Sequence, residues 1–294
     1  MREALLTISG SKAKATSGIG LETGRVRSAV IGAFLAGALV LLGGCSSDDE
    51  LPYQERPVEQ IYNKAMDYVA DGSYQKAAQE FDEVERQHPY SIWARRATLM
   101  SAYSHYKVNE YDDAIVTAQR YIALHPGSKD VAYAYYLVAL CYYEQISDVG
   151  RDQKMTEDAL ASLTALIQRF PQSEYARDAR LKLDLTLDHL AGKEMEVGRY
   201  YLKKRDYIAA INRFRIVVEH YQSTTHVPEA LHRLVEAYLS LGVKPEAQTA
   251  AAVLGYNYPG SDWYQDSYAL LAGQGLKPEE NKGSWISRAW HTVF

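Results

Sequence analysis

The chain has 294 residues, 47% of them hydrophobic and 23% charged, with a net charge of −5. That length allows one large domain or two smaller ones, and the mild acidity without any basic block argues against a nucleic-acid partner. Tyrosine is over-used, 24 copies against 5 Phe, which favours half-buried helix faces with an apolar body and a polar tip.

The chain opens on a targeting segment. Arg25 and Arg27 end a basic region, and Ala29 to Leu42 is an apolar run too short for a comfortable membrane span. It stops at Leu42-Gly43-Gly44-Cys45, which resembles a bacterial lipobox. Residues 1–44 are therefore expected to be a lipoprotein signal peptide, with Cys45 lipidated as the first mature residue. The basic region is unusually long, which leaves the true translation start open. The leader carries five basic and two acidic side chains, so the remainder is at −8. Residues 45–57, opening Cys45-Ser46-Ser47-Asp48-Asp49-Glu50, read as a lipidated tether. Ser46, not Asp, follows Cys45; by resemblance to proteobacterial lipoprotein sorting this favours the outer membrane. Several acyl chains on one Cys anchor stably where one chain does not. Cys141 is then left without a partner in the chain and is expected to be a buried thiol.

From residue 58 a pattern recurs: a starter, Ala three residues on, a small or large apolar residue four later, and Pro eight after that. The copies are Tyr74-Ala77-Phe81-Pro89, Tyr111-Ala114-Ala118-Pro126, Thr156-Ala159-Leu163-Pro171, Tyr207-Ala210-Phe214-Gln222 and Lys244-Ala247-Ala251-Pro259. A second ladder precedes it: Ala65, Ala102, Ala139, Gly198 and Val235. Three residues beyond each stands an aromatic: Tyr68, His105, Tyr142, Tyr201 and Tyr238. This is the tetratricopeptide pattern of paired antiparallel helices, A then B. Helices approach closely only where side chains are small, and no unit buries its apolar face alone, so the units must stack. The predicted fold is an all-α solenoid of five such repeats over 58–272.

The first pair is predicted at Val58–Ala70 and Tyr74–His88, the second at Ile92–Val108 and Tyr111–Leu124, and helix A3 at Val131–Glu144. The spacing then stretches between A3 and B3, predicting an inserted loop from Gln145 to Met155. Glu174 to Lys203 reads as one enlarged helix A4, unbroken at Gly192. B4 is expected at Tyr207–Tyr221, and the fifth pair at Pro228–Leu241 and Pro245–Gly255. Residues 273–294 read as a Gly/Lys/Glu linker and a short amphipathic tail with Trp285, Ile286, Ala289, Trp290, Val293 and Phe294. Such a tail can dock on a partner, on lipid headgroups or back on the last repeat.

No catalytic constellation, cofactor motif or metal-ligand spacing is found. His226 and His232 are six apart, the wrong spacing for one helix face. What remains is a binding surface on the A helices. Tyr62, Met66, Tyr103, Tyr106, Tyr133, Tyr136 and Tyr143 fall on their inward positions and suit an extended peptide with aromatic side chains. Arg96 and Lys107 lie near enough to meet a carboxylate. The competing expectation is that these tyrosines pack between adjacent units.

These features together resemble the lipoprotein component D family of the outer-membrane β-barrel assembly machinery. The resemblance is carried by the lipobox at Cys45, the opening repeat from Ile61-Tyr62 to His88-Pro89-Tyr90-Ser91, helix A3, and Phe170-Pro171-Gln172-Ser173. Glu196-Val197-Gly198-Arg199-Tyr200-Tyr201 and Ala210-Ile211-Asn212-Arg213 complete it. It implies a non-enzymatic lipoprotein on the periplasmic face of the outer membrane. Its implied partners are a periplasmic domain of the barrel-forming subunit, the other assembly lipoproteins, and unfolded outer-membrane proteins bound through their aromatic-ended C-terminal strand. It also places Arg213 at the partner interface. Two features depart from the family pattern: Gln222 in place of Pro, and the Trp-containing tail. The alternative is a pilotin-like or other cell-envelope repeat lipoprotein. A peptidoglycan-cleaving enzyme would need a lysozyme-like domain that the residues after Ala272 cannot hold.

Overall fold

The structure, a computed structural model, describes residues 55–291. Cys45, the leader, most of the tether, and Val293 and Phe294 lie outside the described residues. Twelve α-helices and no strand occur among the described residues. They are α1 (Val58–Ala70), α2 (Tyr74–Gln87), α3 (Ile92–Lys107), α4 (Tyr111–Leu124), α5 (Val131–Glu144) and α6 (Lys154–Arg169). α7 (Glu174–Lys203), α8 (Tyr207–His220), α9 (Val227–Ser240), α10 (Lys244–Asn257), α11 (Asp262–Ala272) and α12 (Trp285–His291) follow. No described helix is long and apolar enough to cross a membrane.

The two ladders are the helix–helix seams. Ala65, Ala102, Ala139 and Val235 of the first ladder have no exposed surface, and Gly198 is buried with them. Ala77, Ala114, Ala159, Ala210 and Ala247 of the second are equally sealed. Between them stand the plugs Phe81, Leu163 and Phe214, also fully buried. Burying such a side chain contributes roughly 1.5–3 kcal/mol. Each helix packs mainly on its neighbours in sequence, the arrangement expected of a stacked repeat.

The turns repeat as faithfully as the seams. After α1, α3, α7 and α9 the chain passes through a left-handed residue: Gly72, Asn109, Arg205 and Gly242, with φ of 73°, 63°, 63° and 76°. The next N–H reaches back to the carbonyl of the ladder aromatic: Ser73 to Tyr68, Glu110 to His105, Asp206 to Tyr201 and Val243 to Tyr238, at 2.8–3.0 Å. This closes the orphan carbonyls of the helix end. Each B helix ends in another common turn, in which Ser91, Ser128, Ser173, Thr224 and Ser261 donate to His88, His125, Phe170, Tyr221 and Tyr258. Ser91, Ser173 and Ser261 then cap the next helix through their hydroxyls. Because the turn after Tyr221 keeps this form, Gln222 replaces Pro without altering the path.

The third A–B connection is the exception. The inserted loop spans 145–153, two residues shorter at its end than expected, because Lys154 already belongs to α6. Gln153 organises it, its amide nitrogen donating to the carbonyls of Asp148, Val149 and Arg151. Val149 packs toward Gly192 at the middle of α7, which runs unbroken for 30 residues. Cys141 is a free, fully buried thiol, and burial pushes its pKa up to about 12.

α11 was not anticipated from the periodicity. It packs on α9 and α10 and contributes buried Ser267 and Leu271. The tail folds back on the last repeats: α12 packs against α8 and α10. The bounds predicted for the flanking helices differ from the observed ones by one to two residues at several ends, as helix termini do.

Candidate functional site

The A helices α3, α5 and α7 carry a row of aromatic residues, in two sets of ring contacts. Tyr133 and Tyr136 of α5 both meet the ring of Tyr175 at the start of α7, with centroids 5.4 and 5.2 Å apart. The Tyr136 hydroxyl donates to Asp178 at 2.5 Å, and Lys182 holds the same carboxylate at 2.9 Å. Tyr103 of α3 meets Tyr74 edge-on at 6.1 Å, and Tyr106 meets Tyr111 at 6.0 Å. Burial, reinforced by neighbouring phenols, raises the pKa of Tyr133; Tyr103 and Tyr106 are among those neighbours. Burial and then the Asp178 bond raise that of Tyr136. Asp178 responds in the opposite sense, its pKa lowered by Tyr136 and by Lys182.

The six predicted tyrosines thus divide. Tyr133 and Tyr136 share Tyr175, while Tyr103 and Tyr106 pair with Tyr74 of α2 and Tyr111 of α4 and stand near Tyr133. Tyr62 joins a separate group with Phe81 and Trp93, at 5.5 and 4.8 Å, beside Arg96. Tyr143 lies under Lys182, 5.4 Å from its ring centroid, in a hollow with Ile146, Leu185 and His189. All six are half-buried, so each packs against a neighbour and keeps part of its surface in solvent. Packing against neighbouring side chains is thus observed for all six. Met66 is exposed. Lys107 covers Tyr74 at 5.5 Å, and with Arg96 and Lys182 it sets cations along the aromatic residues, each such contact worth about 0.5–1 kcal/mol when exposed. Tyr175 was missed because the reading of α7 followed its aliphatic positions. Its place in the first turn after Ser173 was the available signal.

Arg213 on α8 pairs with Glu194 of α7 at 3.1 Å and remains partly exposed. It therefore ties the two helices of repeat four while presenting an edge to solvent.

Two histidines carry opposite pH signs. His105 Nε2 lies 3.8 Å from Asp82 and Nδ1 2.7 Å from Glu110; these carboxylates raise its pKa above the ordinary 6.5. With Asp113, His105 and Glu110 form a group whose donor atoms lie within 4.8 Å of one another. Sequence spacing hid this group, because the left-handed turn at Asn109 brings it together. His232, nearly sealed, meets Ser267 at 2.8 Å and Trp263 at 5.2 Å, and desolvation lowers its pKa although Glu236 lies 3.7 Å away. By linkage, the His105 contribution is complete below pH 6.5 and is lost as pH rises through its raised folded pKa. The His232 contribution is complete above pH 6.5 and is lost as pH falls through 6.5 toward its lowered folded pKa. Hydrogen exchange, corrected for intrinsic rates, is expected to show the α3–α4 turn loosening on alkalinisation and the α9–α11 contact loosening on acidification. His105→Gln and His232→Gln should each abolish only their own trend.

A stacked array of helical hairpins with a half-buried aromatic face defines a tetratricopeptide-type repeat protein. A family model described as an outer membrane lipoprotein, YfiO, matches residues 54–254. A relative in Caulobacter vibrioides, named outer membrane protein assembly factor BamD, is 51% identical over 87% of this chain and 84% of its own. Relatives of the same name in Rickettsia prowazekii and Neisseria meningitidis serogroup A are 46% and 35% identical, over 79% and 71% of this chain and 92% and 82% of theirs. The chain belongs to the YfiO/BamD family of outer membrane lipoproteins.

Proposed function

We propose that this chain is a non-enzymatic outer-membrane protein assembly factor. Its relatives bear that name, and family membership supports carrying the role over. In this reading residues 1–44 are removed, Cys45 carries the lipid on the periplasmic face of the outer membrane, and 45–57 is the tether. The repeats of 58–272 scaffold the barrel-forming subunit, with Arg213 at the contact, and work with the other assembly lipoproteins. The aromatic face binds unfolded barrel proteins through their aromatic C-terminal strand.

The observation that carries client binding is the row of Tyr103, Tyr106, Tyr133 and Tyr136 with Tyr175. Half-exposed phenols bordered by Lys107 and Lys182 offer stacking area, hydrogen bonds and cations. An extended peptide ending in an aromatic residue and a carboxylate matches all three. Tyr103→Ser with Tyr136→Ser is the test. Affinity for a client C-terminal peptide should fall at least tenfold, with helicity kept. Unchanged affinity with intact helicity overturns the assignment. For the assembly role, purification of the lipidated protein from gently solubilised envelopes should recover a large β-barrel protein with periplasmic domains.

A further inference from the structure

The C-terminal segment is not simply an end cap. Ile286 and Trp290 enter the buried core shared by α7 to α11, on the side where α12 packs against α8 and α10, with Trp285 packed half-buried at its edge. The arginine Arg215 lies 4.7 Å from the Trp285 ring, and Tyr258 meets Trp290 at 6.1 Å. The Trp285 indole donates to the Tyr238 hydroxyl at 2.9 Å. Gln222, which stands where the other repeats have Pro, donates to the carbonyl of Ala289 at 3.0 Å. Proline has no amide to offer, so the two departures in the sequence meet in one contact.

Three features mark the occupant as exchangeable. α12 has seven residues, well below the length at which a helix is stable alone. Residues 273–283 are mostly exposed and include Gly273, Gly275 and Gly283. The Gln222 side-chain oxygen is buried without a partner, so the fit of this occupant is incomplete. Moreover, the family match takes in α8 and α10 as far as Leu254 and ends before α12. The walls lie inside the match and the occupant outside it.

We propose that the cleft between α8 and α10 is a docking site for a short amphipathic helix of a partner protein. The chain's own residues 284–291 are its resident, displaceable occupant. The chemistry of that partner is set by what the tail shows: an aliphatic residue and an aromatic one four apart, as Ile286 and Trp290 are. A second aromatic stands just before the aliphatic residue, under Arg215, and a backbone carbonyl faces Gln222. A short tether gives the tail an effective concentration on the order of millimolar, so a weak intrinsic contact suffices to keep it docked. A partner helix takes its place by binding more tightly or by being delivered alongside.

The test uses the full chain. A fluorescein-labelled peptide of residues 283–294 is titrated into the wild-type protein and into Trp285→Ala with Trp290→Ala, whose tail cannot compete. Saturable binding to the double variant, at least tenfold tighter than to wild type, is expected, and Gln222→Pro added to that variant should weaken it severalfold. Equal binding to both, or none to a double variant of normal helicity, overturns the proposal. Hydrogen exchange on the wild-type protein decides the matter should the variant unfold. Amides of 286–291 should exchange at least a hundredfold faster than those of α10, and equal protection means a permanent lock. Client binding by the tyrosine face is read by a different peptide and stands or falls separately.

Discussion

Gly198→Ala is expected to destabilise the protein by about 2 kcal/mol, although alanine at a helix-interior glycine ordinarily gains about 1 kcal/mol. The reason is the seam between α7 and α8. A Cβ at Gly198 would stand 2.4 Å from Phe214 Cε1 and 2.8 Å from two further ring atoms. Phe214 has no exposed surface and cannot retreat, so the helices must separate or the ring must leave its rotamer. Urea unfolding followed by circular dichroism reads the loss. Phe214→Leu in the Gly198→Ala background should recover part of it, the signature of a steric pair. Gly192→Ala is the control. Its new methyl would meet His226 Nε2 at 3.2 Å and Val149 Cγ1 at 3.6 Å, and a half-buried imidazole can give way. A loss beyond about 0.5 kcal/mol there, or a stabilised Gly198→Ala, would contradict the account.

Phe81→Ala should cost about 3–5 kcal/mol, and the loss should be local. Phe81 occupies in α2 the position that Phe214 holds in α8. It packs among Ile61, Ala65, Val84 and Ala97 and supports the edge of Tyr62. Its cluster contains only residues of α1, α2 and α3. In a stacked array, stability is a sum of unit and neighbour terms, so the first repeat can open while the rest stays folded. Amides of α1 and α2 are expected to exchange at least a hundredfold faster, about 3 kcal/mol by the tenfold-per-1.4 rule, with α9 and α10 unaffected. Uniform loss of protection along the chain would show instead that the repeats unfold as a single cooperative body.

The fold was legible because its determinants are steric and periodic. A small residue at each seam, an aromatic three residues later and Pro after four of the five B helices fix the pairing of helices without reference to distant contacts. The unbroken α7 was legible for the same reason: its two glycines serve close approach, at Val149 and Phe214, and not chain reversal. α11 was not, because it begins after the last ladder and its apolar residues do not keep to one face: Tyr268 and Leu270 are exposed while Ser267 and Leu271 are buried. The docking of the tail could be framed only as alternatives, since the recognition depends on Gln222 and Tyr238 meeting Ala289 and Trp285 across more than 45 residues. The candidate site was half legible. Helical offsets located the six tyrosines, but which of them meet depends on Tyr175 and on Asp178 at the head of α7. The charge group at His105 was hidden for a related reason, a turn that reverses the chain.

The single rod of α7 joins matters that the sequence treats as separate. About 45 Å long at 1.5 Å per residue, it begins among Tyr133, Tyr136 and Tyr175. Near its far end Gly198 nests on α8, and Arg199 grips Glu229 of α9 at 2.8 Å. A load that tilts one end must swing the other, as in a seesaw whose plank has no joint. Under the proposed function, a client on the phenols and a subunit at the later hairpins would sit at opposite ends of this one rod, with no joint between them.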